Sequence, residues 1–480
     1  MAFAGIMPTM RTVYAILAAA LLAAPVWGQS KPLETRETPV TRLMENIADT
    51  GFAVSPDSRH VAFPAKPSDR WAVYLDGKPG GFFAIVSEPV FALDSSRVLF
   101  GAQAKQGESW QIISASVDGA PVTEAKFDKI PLHAYNFSAD SKRKAMVGMS
   151  GPKWQVTVDG VSQTFDAYFP ETLAFSPDSQ HVAWVAREGK ETHAYIDGKP
   201  AGEPCAKAAA LAWSGDSRRV AFRANTGKAY AATAGVAGVS PLPAGAMFDG
   251  LLEGPPALSR DGEHLTFGAV RNGKWLVVVD GKESKPYDGI GKDSIGFAGG
   301  KAVAIVSVAK KWRILEADVE LPGDYDQWGT LVISVDGAHY AVATRAGAKW
   351  TVVVDGKPRP ETYDQIGLTT VAFSPDGKQL AFAARRAAKW QVFREGVAVG
   401  GGYVALGAVP IAFSPDGTHI GFTAGKAGGK WVLVCDSRES KDFENFLRDS
   451  HPTFSADGQT LSTLAVSKAN VLRVEAVVGK

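Results

Sequence analysis

The chain has 480 residues, an apolar fraction of 45%, a formal net charge of +1, 50 glycines and 28 prolines. This makes a globular, turn-rich chain. Its near-zero charge argues against nucleic acid or an anionic membrane as a partner held by bulk electrostatics.

Residues 10–28 stand apart from the rest of the chain. Met10-Arg11, the apolar run Val13 to Val26 and the small residue Gly28 have the order of a secretory signal peptide, with cleavage after Gly28. The run is shorter than the ~20 residues of a membrane span, and nothing later is apolar for long enough. No cysteine follows it, which argues against a lipoprotein anchor. The expectation is a segment 1–28 lost on export and a mature chain in the periplasm or outside the cell.

From there one unit recurs. Its clearest copy runs from Lys349 to Phe382: Trp350-Thr-Val-Val-Val-Asp355-Gly356, a spacer with Tyr363-Asp364, then Val371-Ala-Phe-Ser-Pro-Asp-Gly377 and Leu380-Ala-Phe382. Asp-Gly supplies the positive φ angles of a tight hairpin turn, and Ser-Pro-Asp-Gly presets a second. The unit therefore predicts four strands in series: 371–374, 380–384, 390–393 and an irregular fourth ending near Tyr403. The turn aspartate returns at Asp57, Asp94, Asp140, Asp178, Asp216, Asp261, Asp336, Asp376, Asp416 and Asp457, with Gly299-Gly300 as a degenerate copy. That makes about eleven units with a period of ~40, as in four-stranded propeller blades.

Phe-Ser-Pro-Asp-Gly followed by Leu-Ala-Phe resembles the WD-repeat-like β-propeller repeat of TolB-type periplasmic proteins and of prolyl oligopeptidase propeller domains. The resemblance covers about residues 40–478. It implies an all-β propeller and says little of activity. TolB-like proteins act as protein-interaction modules, but no segment here matches their separate α/β domain.

Rings usually hold about four to eight blades. The expected division is therefore two tandem propellers, 29–236 with about five blades and 237–480 with about six, parted at the Gly-, Ala- and Pro-rich stretch Ala234 to Pro256. One large ring is the rival arrangement. An N-terminal strand near 40–50, where Met44-Glu45-Asn46-Ile47 matches the Tyr363-Asp364 position, would complete the last blade and leave no open edge.

Chemistry is sparsely marked. His60, His181, His264, His339 and His419 each stand three residues after a turn aspartate, in a slot that elsewhere holds Arg, Gln or Thr, so a structural polar residue is expected there and no metal. No calcium loop, nucleophile elbow, His-Glu-x-x-His helix or phosphate loop occurs, so no catalytic residue and no cofactor is assigned. The tryptophans are expected to pack between blades. Cys205 and Cys435 lie in different repeats and are expected to be unpaired.

The remaining signal is basic. Arg271, Lys311, Arg345, Arg385, Arg386 and Lys426 fall between second and third strands, so blade topology gathers them at one end as a crown. An acid of each Tyr-Asp position approaches the same end. Changing Arg385 and Arg386 to Glu should then weaken binding without altering melting. The sequence supports a non-catalytic binding scaffold for a protein or an envelope polysaccharide. The alternative is a hydrolytic or carbohydrate-active enzyme with carboxylates in the propeller funnel.

Overall fold

The computed structural model describes residues 32–43, 52–131, 134–169, 172–240, 242, 246–407, 411–447 and 450–478. Hairpin turns dictate its form. At Asp355-Gly356 both residues have positive φ, 47° and 74°, the geometry that folds a strand straight back beside itself. At the second turn the Ser374 hydroxyl donates to Asp376 Oδ1 (2.6 Å) and accepts the Gln379 amide (3.0 Å), with Gly377 at φ +73°.

Repetition of these turns gives eleven antiparallel sheets. Their second strands number the blades: Val61–Ala65, Arg97–Gln103, Lys144–Ser150 and Val182–Glu188 in blades 1 to 4. Arg219–Asn225, Leu265–Arg271, Lys301–Val308 and Tyr340–Ala346 belong to blades 5 to 8. Leu380–Arg386, Ile420–Gly425 and Thr460–Ser467 complete the set in blades 9 to 11. Blade 9 is representative, with Leu380–Arg386 between an inner pair of short strands, Gln365–Ile366 and Ala372–Phe373, and Lys389–Arg394, which pairs outward with Val397–Tyr403.

The blades form one ring, not two. Eleven apolar cores occupy the eleven interfaces between successive blades. Ala221 and Ala231 of blade 5 pack with Leu265 and Phe267 of blade 6, across the place where two propellers were expected to part. Leu464 and Val471 of blade 11 pack with Val61 and Phe63 of blade 1 and close the circle. The long interval at Ala234 to Pro256 has another cause. Among the described residues blade 5 has three strands and no outer one. Leu242 packs on the core there, and its carbonyl accepts from the Thr233 hydroxyl at 2.9 Å.

The seam is made by the chain's two ends, as Thr35–Arg42 pairs with Asn470–Val477 to finish blade 11. This strand lies earlier than the expected 40–50. Met44 to Ile47 and the segment 1–28 fall outside the described residues.

Meandering strands place their turns alternately at two ends. The Ser-Pro-Asp-Gly and Asp-Gly turns form one face, here the turn face. The basic loops and blade crossings form the other, the crown face.

Candidate functional site

The crown residues lie where expected, at the crown ends of blades 6 to 10. Most are engaged locally. Lys311 Nζ is 2.5 Å from Asp326 Oδ1, and Lys426 Nζ lies 3.2 Å from Glu439 and 3.3 Å from Asp442. Arg271 pairs with Glu283 and sits 4.7 Å from the Phe248 ring centre, while Arg386 sits 4.8 Å from that of Tyr363. Arg345 and Arg385 each keep a buried Nε without a partner.

The acids complete this neutralisation. Asp364 accepts from Lys349 Nζ of blade 8 at 2.6 Å and from the Ala387 amide of blade 9 at 3.1 Å, fastening one blade to the next. The Lys349 hydrogen bond, helped by that amide, holds its carboxyl below the usual range. Asp288 repeats the arrangement with Lys274 and the Ala309 amide, both at 2.9 Å.

Each slot histidine has a structural partner on the turn face. His60, His181, His264, His339 and His419 hold Nδ1 between 2.5 and 2.8 Å from Oδ2 of Asp76, Asp197, Asp280, Asp355 and Asp436. The other oxygen of Asp280 accepts the Leu265 amide at 2.9 Å, so the residue ties a blade's two turns together. These hydrogen bonds raise His60 and His264 above the usual imidazole range, despite opposing burial. Among the described residues no group of His, Cys, Asp or Glu could hold a metal ion. Cys205 and Cys435 are free and buried, and burial lifts their thiols to about 11 and about 12. Trp350 is buried in the core between blades 8 and 9.

The repeat breaks in blade 7, and a cavity opens there. In blade 9 Phe373 faces Leu380 across the inner hairpin, whereas in blade 7 Phe297 faces Ala302. The hairpin has thus lost two residues and turns on Gly299-Gly300, with φ of +55° and +73°. The Leu-Ala-Phe triplet has become Ala302-Val303-Ala304. Its last position carries Phe63, Phe100, Phe222, Phe267, Phe382 and Phe422 in other blades, and in blade 9 that ring packs into the interface with blade 8. Ala304 leaves that volume empty. A cavity of about 350 Å³ results, walled by Val277 and Val279 of blade 6 and by Phe297, Ala302, Ala304 and Leu315 of blade 7.

Polar groups surround this apolar floor. His264, Asp280, Lys282, Glu283 and Ser284 approach from blade 6, and Lys301 and Asp318 from blade 7. In place of Asp-Gly, the blade 7 turn is Ala317-Asp318, with φ of 47° and 66°. A groove of about 600 Å³ adjoins the cavity through His264, Phe297 and Gly300, and continues over Asp216, Asp261 and Asp336. Across the shortened hairpin, Arg260 of blade 6 donates to the Val335 carbonyl of blade 8 at 2.6 Å. The equivalent interface between blades 3 and 4 is filled by Trp184 and retains about 270 Å³. None of the residues that make the blade 7 cavity is among the six crown cations. Gly299-Gly300 marked the degenerate copy in the sequence, but the missing Leu and Phe acquire meaning only once their neighbour is known.

No family model matches the chain, and no curated protein matches it. Among solved structures it is similar to TolB from Acinetobacter baumannii (13% identity, 48% of this chain, TM-score 0.25), of which it spans 61%. A eukaryotic initiation factor aligns over 85% of this chain and 90% of its own at 11% identity and a TM-score of 0.41. The propeller domain of the trilobed protease from Pyrococcus furiosus aligns over 57% and 95% at 13% identity, with a TM-score of 0.29. These likenesses concern fold alone. The chain is a β-propeller.

Proposed function

We propose that the chain is an exported binding propeller whose working site is the cavity between blades 6 and 7 on the turn face. The observation that carries this reading is the coincidence of cavity and broken repeat. Apolar walls with a few polar groups at the opening are what a ligand site needs, and about 350 Å³ lies at the small end of such sites. The adjoining groove gives a larger partner, protein or polysaccharide, room to lie beside an anchor in the cavity. The crown, whose charges are largely paired, is the lesser surface. Export rests on residues 10–28. No helix among the described residues is long and apolar enough to cross a membrane.

One test is uptake of an apolar fluorescent dye by the mature chain. Wild type should bind one equivalent, and Ala304→Phe should bind none while melting no lower. Equal uptake by both would remove the site.

A second reading has its own observation. Asp280, Glu283, Asp318 and His264 converge on one cavity, as a hydrolytic site using paired carboxylates requires. Turnover of a panel of chromogenic glycosides and esters, lost in Asp318→Asn, would favour it. Absence of turnover beside intact dye binding would favour the binding propeller.

A further inference from the structure

We infer that the cavity between blades 6 and 7 accepts an apolar α-amino acid as its zwitterion. This rests on the reading of that cavity as the binding site, and goes further by naming the ligand's chemistry.

Shape comes first. The cavity exists because Ala302 and Ala304 stand where blade 9 has Leu380 and Phe382. What is missing is therefore one aromatic and one branched aliphatic side chain, at a position bounded by Val277, Val279, Phe297 and Leu315. A phenyl or isobutyl group entering from outside restores the packing that Leu380 and Phe382 give the interface between blades 8 and 9. Burying such a group contributes roughly ten- to a hundredfold in affinity, enough to anchor a small ligand and too little to hold one alone.

Charge supplies the rest. Asp280 is occupied by His264 (2.7 Å), Glu283 by Arg271, and Lys301 by Glu316 (2.7 Å). Two groups around the cavity remain unengaged. Neither Asp318 nor Lys282 makes a side-chain hydrogen bond or ion pair among the described residues, and both are exposed. One is an anion and the other a cation, Asp318 on the third-to-outer turn of blade 7 and Lys282 at the start of the outer strand of blade 6. A ligand with an ammonium and a carboxylate on the carbon that bears its apolar group can meet both. An amine or a carboxylic acid alone meets one.

Calorimetric titration of the mature chain tests this, with free phenylalanine and leucine as probes. The controls are phenethylamine, which lacks the carboxylate, 3-phenylpropionate, which lacks the ammonium, and N-acetyl-phenylalanine amide, which lacks both charges. Phenylalanine should bind one to one and about tenfold tighter than any control, since a charge-assisted hydrogen bond supports about that factor. Asp318→Asn should weaken phenylalanine about tenfold and leave 3-phenylpropionate unchanged, and Lys282→Met should do the converse with phenethylamine. Ala304→Phe should abolish all binding. Controls that bind as tightly as phenylalanine, or indifference to Asp318→Asn, would overturn the inference. If the dye enters wild type and phenylalanine does not, the zwitterion is wrong and the cavity stands; if neither enters, both are wrong.

Discussion

Serine occupies a position usually given to glycine in the first five blades. Ser58, Ser95, Ser141, Ser179 and Ser217 come directly after their turn aspartates with φ between 56° and 66°. All five hydroxyls are used across blades: the amides of Asp57, Asp94, Asp140 and Asp178 donate to Ser95, Ser141, Ser179 and Ser217 at 2.8–3.1 Å, and Ser58 donates to the His451 carbonyl of blade 11 at 2.5 Å. Strain is thus exchanged for a fastening between neighbours. Ser179→Ala, which keeps the strain and loses the bond, should destabilise by about 1 kcal/mol in denaturant titration. Ser179→Gly gives up both and should be near neutral. The pair of His60 and Asp76 adds a pH dependence. His60 titrates above its unfolded value of about 6.5, chiefly through its hydrogen bond to Asp76, so the pair stabilises fully below that value and fades as pH rises through the folded one. The stability gap between wild type and His60→Gln should therefore be wide at pH 5.5 and narrow at pH 8.5.

Among elements, the second-to-third turns vary in their chemistry: blade 6 has the favoured Asn272-Gly273, and blade 9 does not. Ala387-Ala388 both take positive φ, 50° and 66°, where Asn-Gly is favoured. Replacing the pair by Asn-Gly should raise stability by roughly 1–2 kcal/mol in the same titration. Nearby, Arg386 lies 4.8 Å from the Tyr363 ring centre and 5.3 Å from that of Phe393. The expectation that Arg385 and Arg386 could become Glu without effect on melting therefore changes: Arg386→Glu should lower the melting temperature measurably. The strands and turns of each blade were legible because hairpin chemistry is local, as at Asp355-Gly356. The inner strand's first half, Gln365–Ile366, was missed because the interruption after it hides the alternation. The cavity was half legible: Gly299-Gly300 stood out, whereas Ala304 is one alanine among many until Val277 of the preceding blade is placed against it.

For the whole molecule, blade number was countable from the chain and ring number was not. The repeat specifies each interface alike, and only the core joining Val61 and Phe63 to Leu464 and Val471 tells which blade meets blade 1. The sealing strand Thr35–Arg42 makes that meeting permanent. Removing residues before 44 strips the partner from Asn470–Val477 and leaves a bare edge, which seeks other strands. Light scattering of the truncated chain should show self-association that a chain retaining Thr35–Arg42 lacks.

The seam also sets an order of events. Its two halves, Thr35–Arg42 and Asn470–Val477, lie far apart along the chain, so nothing can be sewn shut until synthesis has delivered the second of them. A chain stopped early leaves an open fan and not a smaller circle.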